Sequence, residues 1–374
     1  MPGTAERARA QLEALATSGR DVPSFGQAAL DVLTRAVPFS AACLAPADPA
    51  TRLVTGNVKW GGLGDERDEE WAYYEYEGPD LYNFLTVADR PSGVGTAQTE
   101  TGGDLRRSVR FTEFYRPTWD FSDEARIALQ TDGGTWGFLA LFRDGPASAF
   151  TAAEQAYLSG VRAALAVGLR AGILASAATD LLPAAHGPAV LVVDAVGEIV
   201  KASVGAAAGV ADLGGGPLGQ SPLPQGLRVL VGAARQFAIG KYPMVPRMRI
   251  RTRSGHWVVA HASPLLCPDG TGRDVVVTLE EARPPEIVPL VVAAFGLTRR
   301  EHDVVALMLQ GIDTGGMART LHLSSYTVQD HLKSIFDKAG VRSRRELTAK
   351  VFHDQYAPRL AAETSLTPAG WFSA

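Results

Sequence analysis

Between Leu323 and Glu346 the chain reads LSSYTVQDHLKSIFDKAGVRSRRE. Ser324 stands where an N-cap side chain accepts from the helix's first turn, and Gly340 where a helix stops, so the spacing predicts a helix between them. Val328, Leu332, Ile335, Phe336 and Ala339 recur every three or four residues and predict its buried side. Off that side lie Gln329, Asp330, Lys333 and Ser334, with Thr327 near the start. Such a helix can lie in a DNA groove or merely pack on its neighbours. Periodicity leaves both open.

The flanking sequence builds a unit around it. In GLTRREHDVVALMLQG, Thr298 and Glu301 have capping-box spacing, Leu297 is the staple candidate, and Val304, Val305 and Met308 form an inward stripe that Gly311 ends. Asp313 can cap a second short helix with Met317, Ala318 and Leu321 inward, and His322-Leu323 turns the chain. Ser343 and Glu346 cap a fourth helix. Four short helices with a tight turn between the middle two make a helix-turn-helix arrangement. In a recognition helix the residues near the N-terminus reach base edges while polar and basic neighbours hold phosphates.

From Leu297 to Glu346 the chain resembles the C-terminal DNA-binding domain of LuxR-type transcriptional regulators. LTRRE, Gly311, Ala318, Leu321, Leu323-Ser324, Thr327-Val328, His331, Ile335, Lys338, Gly340-Val341, Arg342 and Arg345-Glu346 carry the resemblance. It implies that Thr327, Gln329, Asp330 and Lys333 face DNA, with His331 beside them. Ser324, Lys338, Arg342 and Arg345 complete the candidate DNA-binding set. The sequence departs from the family at Gln329, where a Lys is usual, and at DTGGMA, where SNKEIA is usual. Gly315-Gly316 costs roughly 2 kcal/mol of helix propensity against two alanines.

The charge distribution agrees with contact at this end. The 374-residue chain carries a net charge of -4, which alone argues against a nucleic-acid binder. Leu297 to Lys350 holds nine Lys/Arg against six acids, leaving that segment at +3 and the remainder at -7. Length predicts two or three domains, and 46% hydrophobic with 20% charged residues is ordinary for folded soluble protein. Cys43 and Cys267 are far apart and belong to no C-x-x-C pair, which predicts small buried hydrophobes in a reducing compartment. The N-terminus lacks the apolar core of a signal peptide, and no apolar run is long enough to span a bilayer. These features predict a cytoplasmic protein.

The front of the chain reads as α+β. EARIALQTDGGTWGFLALFRD predicts a hairpin turning at Asp132-Gly133-Gly134. Thr151 and Glu154 then start a long helix reaching about Thr179, with Leu158, Val161, Leu165, Leu169 and Ile173 on one face. That face can pair two copies or bury against its own domain. AVLVVDAVGEIVKAS, the glycine- and proline-rich LGGGPLGQSPLPQG, PRMRIRTRSGHWVVAHASPLL and RDVVVTLEE read as strands and a loop around a few short helical segments, closed by a proline linker EARPPEIVP. The part from about Ser24 to Ala171 resembles a GAF domain, mainly through Glu124 to Leu158, and Val190 to Glu280 resembles a PAS domain. The predicted fold class is multidomain α+β: a GAF-like sensory domain with a long C-terminal helix (1–180), a PAS-like domain (181–285), an all-α four-helix LuxR-type helix-turn-helix domain (286–360) and a tail (361–374).

Aromatics crowd the GAF-like part. Trp60, Trp71, Tyr74, Tyr82, Phe111, Tyr115 and Trp119 are the pocket candidates, with Tyr73, Tyr76, Phe84, Phe114 and Phe121 nearby; they line a small-molecule pocket or fill a core. A tetrapyrrole on Cys43 lacks basic partners in SAACLAP. There is no G-x-x-x-x-G-K-[ST] or H-E-x-x-H, and His186, His256, His261 and His353 are not ligand-spaced, so no catalytic residue, metal or cofactor is predicted. The expected protein is therefore not an enzyme. It is a dimeric, sequence-specific regulator that binds double-stranded DNA, itself and a small-molecule ligand in the GAF-like domain, and no membrane. The alternative is a ligand- or protein-binding scaffold whose helix-turn-helix no longer binds DNA.

Overall fold

The computed structural model describes residues 3–132, 134–145, 149–175, 188–265 and 272–351. They fall into two compact units. The first reaches to Glu280 apart from Ser254–Trp257, and the second comprises Ser254–Trp257 and the chain from Glu281 onward.

The first unit opens with α1 (Thr4–Ala16) and α2 (Val22–Leu33), the latter capped by Asp21, whose Oδ1 accepts from the Ser24 amide at 2.9 Å. Next come β1 (Ala41–Pro46), β2 (Val58–Trp60), α3 (Asp68–Tyr76), α4 (Phe84–Ala88), β3 (Val94–Thr96) and α5 (Ala97–Thr101). A π-helical turn (Phe111–Tyr115) leads into α6 (Arg116–Trp119), β4 (Phe121–Thr131), β5 (Gly134–Asp144) and α7 (Ala152–Ala175). The five strands form an antiparallel sheet in the order β2-β1-β5-β4-β3. The expected hairpin is β4–β5, in register Ile127 to Leu139.

Alternation gives the sheet two inner faces. Ala42, Leu44, Ile127, Leu139 and Leu141 share one, against which α7 packs with Leu158, Val161, Leu165 and Leu169 buried. The apolar stripe of α7 is thus used inside its own unit. Contact is close enough to demand glycine: a Cβ on Gly137 would lie 2.4 Å from the Leu169 side chain, and one on Gly168 2.0 Å from the Phe25 ring. The other face carries Lys59, Cys43, Ala140 and Arg126 in one row and Ala41, Phe142 and Glu124 in the next. α4 and the π-helical turn contribute the buried Phe84, Phe111, Phe114 and Tyr115 to the core that includes Ala140 and Phe142, and Trp71, Tyr74 and Tyr76 of α3 pack against it.

The second sheet is built from β6 (Ala189–Val193), β7 (Ile199–Ala202), β8 (Arg247–Arg251), β9 (Trp257–Pro264) and β10 (Val275–Glu281), with α8 (Ala206–Asp212) and α9 (Gln225–Ala238) inserted after β7. Its order, β7-β6-β10-β9-β8, repeats the second-first-fifth-fourth-third pattern of the first sheet. Short helical segments are expected among these strands, and α9 is the longer of the two. It begins as soon as the glycine- and proline-rich loop ends, and buries Leu227, Leu230, Val231 and Ala234. The two sheets share one hydrophobic core. α3 packs on α9, and Arg249–Asp48 (2.5 Å), Arg235–Glu77 (3.1 Å) and Tyr242 Oη donating to the Thr51 carbonyl (2.9 Å) tie the two parts together.

In the second unit the proline linker anticipated at EARPPEIVP is instead the start of a helix, α10 (Pro284–Ala294). Pro284 and Pro285 occupy its first turn, where the missing amide costs no hydrogen bond. α11 (Arg299–Leu309), α12 (Thr314–Leu321) and α13 (Ser325–Ala339) follow, and residues 344–351 are again helical.

Candidate nucleic-acid interface and ligand pocket

Three local caps set the helix-turn-helix. Thr298 Oγ1 accepts from the Glu301 amide (3.3 Å) while Glu301 Oε2 accepts from the Thr298 amide (2.6 Å). Asp313 Oδ1 accepts from the Gly316 amide (2.6 Å), and Ser324 Oγ from that of Thr327 (3.0 Å). His322 turns the chain between α12 and α13 in the left-handed region, at φ 55°. Val328, Leu332, Ile335 and Ala339 of α13 are buried together with Val304, Val305, Met308, Met317 and Ala318. Gln329, Asp330 and Lys333 therefore face solvent, and Tyr326 is 73% exposed.

Below the helix start, Gln329, Lys333 and Arg342 line a cleft with Thr314 and Arg344. Arg344 is fixed there by donating to Thr314 Oγ1 (2.7 Å) and the Ile312 carbonyl (3.4 Å). Three cations against the single carboxylate of Asp337 make this cleft attractive to phosphate. Lys338 points elsewhere. Its Nζ donates to Glu301 Oε2 at 2.6 Å, and Ser334 Oγ donates to Glu301 Oε1 at 2.6 Å. Burial alone would raise the Glu301 pKa. The hydrogen bonds from Lys338, Ser334 and Thr298 outweigh it and bring the carboxyl down to about 2.

The first unit sorts the aromatic candidates. Trp71, Tyr115 and Trp119 converge with Phe114, Phe142 and Cys43 on one small cavity. Burial pushes the Cys43 thiol up to about 12. The remaining candidates serve the framework. Trp60 donates to Asp31 Oδ1 (2.9 Å) and meets Phe39 edge-on, while Tyr74 stacks on Phe114 and donates to Glu113 (3.2 Å). Phe111 is buried edge-on to Tyr115 at 5.3 Å. Tyr82 and Tyr115 donate to the two oxygens of Glu124 at 2.8 and 3.2 Å.

Glu124 belongs to a fully buried ionic network. Arg110 reaches Glu124 (3.3 Å) and Asp80 (3.2 Å), and Arg126 reaches Glu124 (2.9 Å) and Glu75. Both guanidinium groups lie over the Tyr82 ring. Burial would raise the Glu124 pKa, but Arg126 and Arg110 hold the carboxyl below its ordinary value. The same burial drives the Tyr82 and Tyr115 phenols up.

Residues 296–351 match the model of the family described as bacterial regulatory proteins, luxR family. The second unit carries a LuxR-type helix-turn-helix domain. A putative HTH-type transcriptional regulator of Aeromonas salmonicida, from the exeN 3' region, is 45% identical over 51 residues. That match covers 14% of this chain and 26% of the relative, so the chain spans about a quarter of the length of the curated relative it matches. Among solved structures, Vibrio cholera VqmA in complex with ligand and DNA is 18% identical, with 47% of this chain and 85% of that one covered at a TM-score of 0.22. Escherichia coli SdiA is 10% identical, with 92% and 95% covered at a TM-score of 0.28. At such scores neither superposition carries an argument.

Within the LuxR-type domain, the anticipated residues divide by what they touch. Gln329, Asp330 and Lys333 form one exposed row, with Arg342 beside it and Arg345 exposed on the last helix. Thr327 and His331 are half-buried, Thr327 Oγ1 lying 2.8 Å from Ser324 Oγ, and Ser324 is occupied as a cap. Lys338 is bound to Glu301. Tyr326, Thr314 and Arg344 were missed, although Tyr326 lies off the Val328-Leu332-Ile335 stripe and periodicity alone places it outward. Among the described residues no helix is long and apolar enough to cross a membrane.

Proposed function

We propose that this protein is a cytoplasmic, dimeric, sequence-specific DNA-binding transcriptional regulator whose activity is set by a small molecule or partner at the first unit. The observation that carries the reading is the exposed row Gln329, Asp330 and Lys333 on a capped helix of a LuxR-type domain, flanked by the cationic cleft of Arg342 and Arg344. In this reading Gln329 pairs with adenine, Lys333 meets guanine or phosphate, and Arg342 and Arg345 hold the backbone. Two-fold pairing would bring two such helices to half-sites one helical turn apart.

We read the first unit as a GAF-like part followed by a PAS-like part. The shared strand order of the two sheets and the aromatic-lined cavity support that reading. The test is selection of sites from random DNA by the full chain, repeated with Lys333→Ala at two salt concentrations. An enriched inverted repeat, lost in the variant, is expected. Absence of any enrichment overturns the reading in favour of a scaffold that does not bind DNA.

A further inference from the structure

The glycine- and proline-rich loop before α9 walls a cleft. Gly214, Gly215, Ser221 and Pro224 line a cleft of about 420 Å³ whose opposite wall is Thr55, Asn57 and Asp68 of the GAF-like part. The aromatic cavity beside Trp71, Tyr115 and Phe142 is only about 40 Å³. Asn57, Asp68 and Gln225 line both, so the two spaces adjoin. The first has the size of a small-molecule site. The second holds roughly a methyl-sized group.

Two polar atoms at this junction are buried without a hydrogen-bond partner among the described residues: Gln225 Oε1, an acceptor, and Arg228 Nε, a donor. Both residues line the cleft, where a bound group could supply the partner each atom lacks. Arg228 is anchored by its NH2 group, 3.5 Å from Asp68 Oδ2. Gly226 brings the start of α9 close to the first sheet's side, where a Cβ would lie 3.2 Å from the Thr55 carbonyl oxygen. The cleft is lined by two carboxylates, Asp65 and Asp68, and two guanidinium groups, Arg228 and Arg253. Lys59, beside the aromatic cavity, is consumed by Asp65, Asp68 and the Gly64 carbonyl, each at 2.6 Å.

We propose that the first unit binds a small neutral ligand in this composite site, with an N–H or O–H donating to Gln225 Oε1, a carbonyl-type oxygen accepting from Arg228 Nε, and a small apolar substituent entering the Trp71, Tyr115 and Phe142 cavity. The site takes walls from both α+β parts, so occupancy would clamp α9 to the GAF-like part. This deepens the sensory reading above and rests on it.

The test uses the full chain and a matched set of probes, 4-methylbenzamide, benzamide and the anionic 4-methylbenzoate, followed by ligand-observed NMR and tryptophan fluorescence. 4-Methylbenzamide should bind best, and 4-methylbenzoate about tenfold or more weaker. Gln225→Met removes the orphan acceptor, so it should fold as well as the parent and lose about tenfold in amide affinity. Equal binding of amide and carboxylate, or undiminished binding by Gln225→Met, overturns the proposal. So does failure of all three probes. The sensory reading is tested separately, by whether deleting the first unit changes promoter output, so the two can fail independently.

Discussion

If Lys338 serves Glu301 rather than phosphate, removing either partner should loosen the domain, and removing Lys338 should leave the salt dependence of DNA binding intact. The Glu301 side chain is 4% exposed and that of Lys338 34%. Glu301→Ala removes half of a capping box, worth about 1 kcal/mol, and the Ser334 hydroxyl bond, worth about 1 kcal/mol. The Lys338 pair, discounted for the exposure of the ammonium, adds about 1 kcal/mol. The total of about 3 kcal/mol predicts amide exchange in α11 and α13 of the full chain faster by more than about a hundredfold.

Glu301 has its folded pKa lowered to about 2 from 4.5. The stability it contributes is therefore present above about pH 4.5 and is lost as the pH falls toward 2. Glu301→Gln should flatten that loss. In DNA binding, Lys333→Ala should reduce the slope of log affinity against log salt by about 0.9, while Lys338→Met leaves it unchanged. An exchange increase below about tenfold in Glu301→Ala, or a slope change in Lys338→Met equal to that of Lys333→Ala, would refute the assignment.

The two glycines of α12 should respond oppositely. A Cβ at Gly315 meets nothing closer than 3.6 Å, so Gly315→Ala should stabilise α12 by about 0.5–1 kcal/mol; at Gly316 it would lie 2.7 Å from the Ile312 side chain, so Gly316→Ala should not stabilise, both read by exchange of α12 amides. Arg126→Met leaves Glu75 buried without its close cation and Glu124 with Arg110 alone, and should cost the first unit about 3–5 kcal/mol in denaturant unfolding. With its thiol pKa pushed up to about 12, Cys43 should resist alkylation at pH 8 in the native chain and react on unfolding, as followed by mass spectrometry of the Cys43 peptide.

The LuxR-type domain was legible because its determinants are local. Ser324 to Thr327, Thr298 to Glu301 and Asp313 to Gly316 are each three residues apart, within reach of any window. The Glu301–Lys338 pair spans 37 residues and forms only when α11 and α13 pack, so the resemblance could place Lys338 in the DNA-binding set without showing what holds it. The same limit hid the character of β4. In EARIAL the charged residues alternate with apolar ones, which reads as a strand with one face in water. Both faces are buried, and the apparent solvent face supplies Glu124 and Arg126 to the ionic network.

That network explains why only some of the crowded aromatics, Trp71, Tyr115 and Trp119 among the candidates, meet at a cavity. Glu75, Asp80, Arg110, Glu124 and Arg126 fill much of the space between the inner sheet face and its cover, with Tyr82 and Tyr115 bonded to them. A buried set of paired charges resists displacement, because separating any pair leaves a charge uncompensated. Open volume is left where the network ends, beyond Trp71 and Tyr115, and there the wall is completed by Gln225 at the start of α9. Gly226, the second residue of α9, lets the helix approach that wall, since a Cβ there would lie 3.2 Å from the Thr55 carbonyl oxygen.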